Sequence, residues 1–152
     1  MSDERAYRVM KFGGSSVGAP ERVRNVVEII ASHAGDGPVA VVVSAMGDST
    51  DWLIEAGRTA ATGDAEAAER VVDRVADLAT SNGLMVLRAL EERDGKLQTQ
   101  PAITPLVREV LAPLRQLLHG VALLRECTAQ TLDLVMSFGE RLSAQVLAEL
   151  LT

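Results

Sequence analysis

The feature that most constrains the fold is a strand–helix–strand pattern near the N-terminus. An apolar run from Tyr7 to Phe12 predicts a short buried strand. From Pro20 to Ala34 apolar residues recur at i, i+3, i+4 and i+7, which predicts an amphipathic helix with proline in its first turn. The continuous apolar run Val39–Val43 predicts a second strand, buried on both faces. Such a unit places its strands parallel with a right-handed crossover, so the predicted class is α/β.

A glycine turn follows the first strand. Gly13 and Gly14 allow close backbone approach and positive φ, so their N–H groups can converge on an anion. Lys11 and Ser15 flank the turn, and the helix from Pro20 directs its partly positive N-terminus towards it. The pattern is neither a Walker A loop nor a Rossmann fingerprint. A phosphate-binding turn and a purely structural turn both remain open from this pattern alone.

The second strand also ends in a loop of small residues, from Ser44 to Asp51. In parallel sheets ligands bind beyond the carboxyl ends of the strands, so Ser44 and Thr50 are expected close to Gly13 and Lys11. The alternative is that Ser49 or Thr50 only caps the next helix. The two roles are compatible.

The rest of the chain has helical periodicity. We expect Ser81–Gly83 to interrupt one helix, and 94–101 to form an exposed loop. A heptad-like stripe then suits an antiparallel helical hairpin, or alternatively a coiled-coil dimer: Val107, Val110, Leu114, Leu117, Val121 and Leu124.

The last helical stretch carries a glycine, Gly139, beside Glu140. A glycine inside a helix costs about 1 kcal/mol relative to alanine, and close approach of its backbone to another part of the protein would justify that cost. No basic residue lies four positions after Glu140, so this carboxylate is a candidate partner for an ammonium group. The alternative is an ordinary surface carboxylate.

Composition narrows the class of function. A net charge of -6 argues against nonspecific nucleic-acid binding. No apolar run is long enough for a transmembrane helix, and the polar start is unlike a secretory signal. Cys127 is the single cysteine, which fits a reducing cytoplasm, and we interpret it as a packing residue.

Three segments together resemble the aspartate kinases in order and spacing. They are Lys11–Val17, Val42–Gly47 followed by Thr50–Asp51, and Ser137–Ser143. A softer similarity in 118–124 points to bifunctional aspartokinase–homoserine dehydrogenases. The resemblance implies the amino-acid-kinase (carbamate-kinase-like) fold, a three-layer αβα sandwich on a mainly parallel sheet.

The resemblance also implies a reaction, in which ATP with Mg²⁺ phosphorylates the side-chain carboxylate of L-aspartate to give 4-phospho-L-aspartate. This step begins lysine, threonine and methionine synthesis. The implied phosphate-binding residues are Lys11, which is also catalytic, Gly13, Gly14 and Ser15. The implied aspartate-binding residues are Ser44, Thr50 and Glu140. No residue is implied as a metal ligand. Ser15 stands where the family usually has threonine, and the hydroxyl is kept.

The family's kinase domain is about twice as long as this chain. We therefore expect residues 1–152 to be the N-terminal half of that domain, without the nucleotide-binding half or ACT domains. Catalysis would then need the missing half. We expect the chain to form a homo-oligomer or to pair with a chain that supplies that half. Two alternatives remain: a non-catalytic assembly module of a kinase complex, and a kinase for another substrate such as glutamate or UMP.

Overall fold

The computed structural model describes residues 7–94 and 103–152. The expected loop at 94–101 lies almost wholly outside these residues. Seven elements follow one another: β1 (Arg8–Phe12), α1 (Pro20–His33), β2 (Val39–Val43), α2 (Ser49–Ala61), α3 (Ala65–Asp94), α4 (Ile103–Leu124) and α5 (Ala129–Leu150).

The two strands form a parallel pair, as the βαβ pattern predicts. Arg8 is in register with Val39 and Phe12 with Val43, so both strands end at the same edge. Residues alternate between two faces along each strand. Met10, Phe12, Val41 and Val43 pack against the core, whereas Val9 and Val42 on the other face are 68% and 51% exposed.

The expectation that the second strand is buried on both faces is therefore wrong for this chain. The helices of the described residues cover one face of the pair and leave the other open. A run of valines indicates a strand that can tolerate burial on both sides, but it does not identify which segment covers each side.

Helix α1 follows its predicted pattern. Its buried residues are the predicted stripe of Val23, Val26, Val27 and Ile30. The helix begins at Pro20, after Ala19, and no side chain caps its first turn. This leaves backbone N–H groups at the N-terminus of α1 without side-chain acceptors.

Helices α2 to α5 pack on one another, and α3 contacts all of the others including α1. Helix α3 is continuous, so the predicted break at Ser81–Gly83 is wrong. Asn82 is buried, and Gly83 provides room for α4: a Cβ on Gly83 would lie 2.8 Å from the Ile103 side chain. Residues typical of a turn are here explained by packing between helices.

Helix α4 also runs without interruption through Pro113 and Gly120. The predicted stripe is confirmed at Val107, Leu114 and Val121, which are buried. It is wrong at Leu124, which is 79% exposed. Leu111 and Leu118, which lie between the confirmed positions, are also buried. Helix α4 packs against three other helices, so its apolar face is broader than the stripe that a two-helix hairpin would need.

None of the helices in the described parts of the chain is long and apolar enough to cross a membrane.

Candidate functional site

The turn after β1 is a single 3-10 turn over Gly14–Ser16. The N–H of Ser16 donates to the Gly13 carbonyl (2.9 Å), and that of Val17 donates to the Gly14 carbonyl (3.2 Å). Gly13 has φ −76°, and neither glycine of the turn has positive φ. The expectation of positive φ in this turn is therefore wrong. The turn closes through ordinary backbone angles.

The N–H groups of Gly14 and Ser15 are directed to no acceptor within the described residues. Two adjacent free amides at the end of a strand can donate hydrogen bonds to an anion. The uncapped N-terminus of α1 begins a few residues later, and its dipole favours negative charge in the same region. Lys11 is exposed and pairs with no carboxylate in the described part of the chain.

The loop after β2 packs directly on this turn. The N–H of Ser44 donates to the Phe12 carbonyl (3.0 Å), and that of Gly47 donates to the Gly14 carbonyl (3.4 Å). Gly47 has φ +49°, a conformation that glycine adopts without strain. The predicted proximity of the two strand-end loops is thus observed in their backbones.

Ala45 lies between this turn and helix α5. A Cβ on Gly14 would lie 2.7 Å from the Ala45 carbonyl oxygen. A Cβ on Gly139 would lie 2.8 Å from the Ala45 side chain and 3.3 Å from Leu53 of α2. The close approach expected at Gly139 is confirmed. Three segments that are distant in sequence therefore meet around one alanine.

The polar residues of the predicted site lie on the segments that make this contact. Ser44 and Thr50 are half-buried, and Glu140 is exposed directly after the packed Gly139. Asp48 is the residue before α2, and no side chain caps that helix, so the alternative that Ser49 or Thr50 acts as the cap is wrong. Within the described residues, no hydrogen bond or ion pair joins the side chains of the predicted site to one another.

Two residues contact the predicted site in ways that the sequence patterns do not reveal. Ala45 has no polar group and is recognisable only from its packing. Arg22 of α1 donates from Nη1 to the Ser15 carbonyl at 2.8 Å. In the sequence Arg22 is one of several charged residues on the predicted helix. Nothing in its separation of seven residues from Ser15 indicates that its side chain contacts the Ser15 carbonyl.

The chemistry of this region suits an anion on one side and a cation on the other. Lys11 and the free amides of Gly14 and Ser15 can bind phosphate oxygens. Glu140 can accept hydrogen bonds from an ammonium group. Cys127 does not belong to this chemistry, because burial raises the pKa of its thiol and so disfavours the nucleophilic thiolate.

Residues 6–152 match the amino acid kinase family. The chain belongs to this family. Among aspartokinases, it is 36% identical to aspartokinase 1, chloroplastic, of Arabidopsis thaliana over 141 residues, or 92% of this chain and 22% of that protein. It is 37% identical to aspartokinase 3, chloroplastic, of the same plant over 148 residues, 97% of this chain and 24% of that protein.

A match to a bacterial aspartokinase is shorter but has a higher sequence identity. The aspartokinase of Corynebacterium glutamicum is 54% identical over 51 residues, which are 33% of this chain and 12% of that protein. The chain thus spans less than a quarter of the length of each of these relatives.

The fold matches a solved aspartokinase. The crystal structure of Escherichia coli aspartokinase III in complex with aspartate and ADP superimposes with a TM-score of 0.65 at 24% identity, covering 96% of this chain and 29% of that one. The likeness supports an aspartokinase-like fold with a small parallel sheet and helices.

Proposed function

We propose that this chain is the N-terminal part of the kinase domain of an aspartate kinase. In this proposal, residues 1–152 belong to a three-layer αβα sandwich and supply the contacts to the phosphates of the nucleotide. The half that would hold the nucleoside part of ATP lies outside the chain. The reaction would transfer the terminal phosphoryl group of ATP to the side-chain carboxylate of L-aspartate. A cytoplasmic location remains a prediction.

The packing around Ala45 carries the proposal. It brings the glycine turn, the loop after β2 and Gly139 together, and Glu140 follows Gly139 directly, which supports a site that combines phosphate donors with a carboxylate. Within the described residues, these segments also carry free amides, a lysine without a carboxylate partner and a glutamate without a basic partner, which purely structural glycines do not require. The named relatives are aspartokinases, which supports the same conclusion.

Phosphoryl transfer depends on positioning and on neutralising charge more than on covalent chemistry by the protein. Lys11 would neutralise the transferred phosphoryl group, because its ammonium is a compact charge on a flexible stem. The amides of Gly13, Gly14 and Ser15 would bind its oxygens, with the Ser15 hydroxyl beside them. These donors are fixed by the backbone and need no rearrangement during transfer.

Aspartate would lie on the other side of Ala45. Ser44 and Thr50 would donate hydroxyl hydrogen bonds to its carboxylates, and Glu140 would pair with its ammonium. The ammonium of a bound amino acid is largely desolvated, so a carboxylate partner contributes more there than on an open surface.

The residues around the turn do not fit a magnesium ion held by the protein. Their donors are amides, hydroxyls and an ammonium group, and the described residues contain no cluster of three or more His, Cys, Asp or Glu that could hold a metal. We assign no protein ligand to the Mg²⁺ expected with ATP, and no step depends on one.

The phosphate side is tested by titrating ADP against ¹⁵N-labelled chain. We expect the largest amide shifts at Gly13–Ser15, and we expect Lys11→Ala to weaken binding about tenfold, the effect of one charged hydrogen bond. Lys96→Ala is the control, since Lys96 is the other lysine of the chain. Equal weakening by both variants would mean that ADP responds to net charge and not to this turn.

The aspartate side is tested in the same way with L-aspartate. Glu140→Gln should weaken binding about tenfold by removing a charged hydrogen bond. The control, Asp133→Asn, removes an exposed carboxylate from the same helix two turns earlier. If wild-type chain binds neither aspartate nor ADP, the alternative of a non-catalytic assembly module takes precedence.

A further inference from the structure

Arg22 holds the last carbonyl of the glycine turn. The carbonyls of Gly13 and Gly14 accept hydrogen bonds from backbone amides of the turn and of the loop after β2. The carbonyl of Ser15 instead accepts from Nη1 of Arg22, at 2.8 Å. Arg22 lies in the first turn of α1, where its own N–H donates to the Ala19 carbonyl. The side chain therefore ties the start of α1 to the turn.

The charge of Arg22 is not neutralised by a carboxylate in the parts of the chain that the structure describes. Arg24, two residues later, is a useful contrast because its guanidinium pairs with Glu28 at 3.6 Å. A guanidinium has five N–H donors, and Arg22 uses one of them on Ser15. It also lines an open cavity of about 320 Å³ together with Ser15, Ser16 and Asn25.

From this geometry we infer that Arg22 is a positioning residue for phosphate binding, acting through the Ser15 carbonyl. The inference rests on the proposed function. Fixing this carbonyl fixes the peptide plane that it shares with the N–H of Ser16, and that N–H donates to the Gly13 carbonyl. The Gly13 carbonyl in turn shares its plane with the free amide of Gly14, so Arg22 supports the direction of that amide through the closing hydrogen bond of the turn. Its positive charge also adds to the potential that draws an anion to the turn.

The first test needs no ligand. Amide hydrogen exchange and ¹⁵N relaxation are measured for the free chain as wild type, Arg22→Gln, Arg22→Lys and Arg24→Gln. Arg22→Gln should increase the amide exchange rates of Ser16 and Val17 severalfold and lower the ¹⁵N order parameters of the turn, while the melting temperature stays the same. Arg22→Lys should restore part of this order, since it can still donate to the carbonyl. Arg24→Gln should change neither.

The second test measures the affinity of the same variants for ADP by calorimetry. Arg22→Gln should weaken binding about tenfold, as for one charged hydrogen bond, with Arg22→Lys intermediate and Arg24→Gln unchanged. A turn that stays ordered in Arg22→Gln overturns the positioning role whether or not ADP binds. A loosened turn with unchanged ADP affinity also overturns it. Absence of ADP binding by the wild-type chain overturns the proposed function first, and the inference with it.

Discussion

Gly139 determines how closely α5 can approach the strand-end loop. Its missing side chain places the helix backbone against Ala45 and Leu53, in a region where all three residues are buried. Glu140 follows directly, so the distance between the carboxylate and the glycine turn depends on this contact. A larger residue here would act on stability and on the site together.

Gly139→Ala should lower the free energy of unfolding by about 1–3 kcal/mol, the usual cost of inserting a group into a packed core. Gly120→Ala is the matched control, because it also lies inside a helix but a Cβ there would meet nothing within 4 Å. That variant should gain up to about 1 kcal/mol from helix propensity. Urea unfolding followed by circular dichroism measures both. A stabilised Gly139→Ala chain would show that the contact is looser than described.

At the scale of elements, one arginine links α3 and α4 by ion pairs beside their apolar contact. Arg115 of α4 pairs with Glu69 of α3 and, at 2.8 Å, with Asp73 one turn later. Desolvation lowers the pKa of Arg115, but hydrogen bonds and charge from Asp73 and Glu69 outweigh it, so the pKa is raised. Because a raised pKa favours the charged form, the charge of Arg115 persists through the neutral range, and the stabilisation that depends on it is lost as the pH rises to strongly alkaline values.

Arg115→Met should lower the free energy of unfolding by about 1–2 kcal/mol at neutral pH, since the apolar stem is kept while the partly buried carboxylate of Glu69 and the exposed carboxylate of Asp73 lose their partner. Arg24→Met removes an exposed i,i+4 pair and should cost no more than about 0.5 kcal/mol. Chemical unfolding compares the two. Equal small losses would mean that solvent screens the Arg115 cluster as fully as the surface pair.

Local sequence patterns were sufficient to predict the elements whose main contacts are with neighbours in sequence. Helix α1, the parallel strand pair and the loops at their carboxyl ends follow from periodicity and chain direction alone. Ser81–Gly83 and the details of the α4 stripe do not, because their residues respond to helices far away in sequence. A buried Asn82 and a glycine packed on Ile103 have the composition of a turn, and only the tertiary contact reveals their role.

The site shows the same division. Lys11, the turn and Glu140 are recognisable from spacing and from resemblance, because their chemistry is carried by side-chain type. Ala45 and Arg22 are not, because their roles depend on contacts to backbone atoms. The wrong expectation of positive φ in the turn has a related cause. Glycine is required at Gly14 because a side chain there would collide with the Ala45 carbonyl, and the backbone angles of Gly14 do not require it.

At the scale of the whole molecule, the open face of the strand pair is the main departure from an ordinary α/β arrangement. Parallel sheets normally have both faces covered, yet Val9 and Val42 are more than half exposed here. Lys11 leaves the same face, since it alternates with Met10 and Phe12 along β1. Lys11, which we propose binds phosphate, therefore lies on an apolar surface of a kind that another segment of protein normally covers.

The isolated chain should consequently self-associate through this face. The double variant Val9→Thr, Val42→Thr should raise the concentration at which association begins on the order of tenfold, because threonine keeps the β-branched shape while reducing apolar surface. Sedimentation velocity over a range of concentrations measures this. Leu123→Gln is the control, since Leu123 is 85% exposed but lies near the end of α4, on a different element. If Leu123→Gln reduces association as much as the double variant, exposed apolar area in general drives the association and the sheet face has no special role.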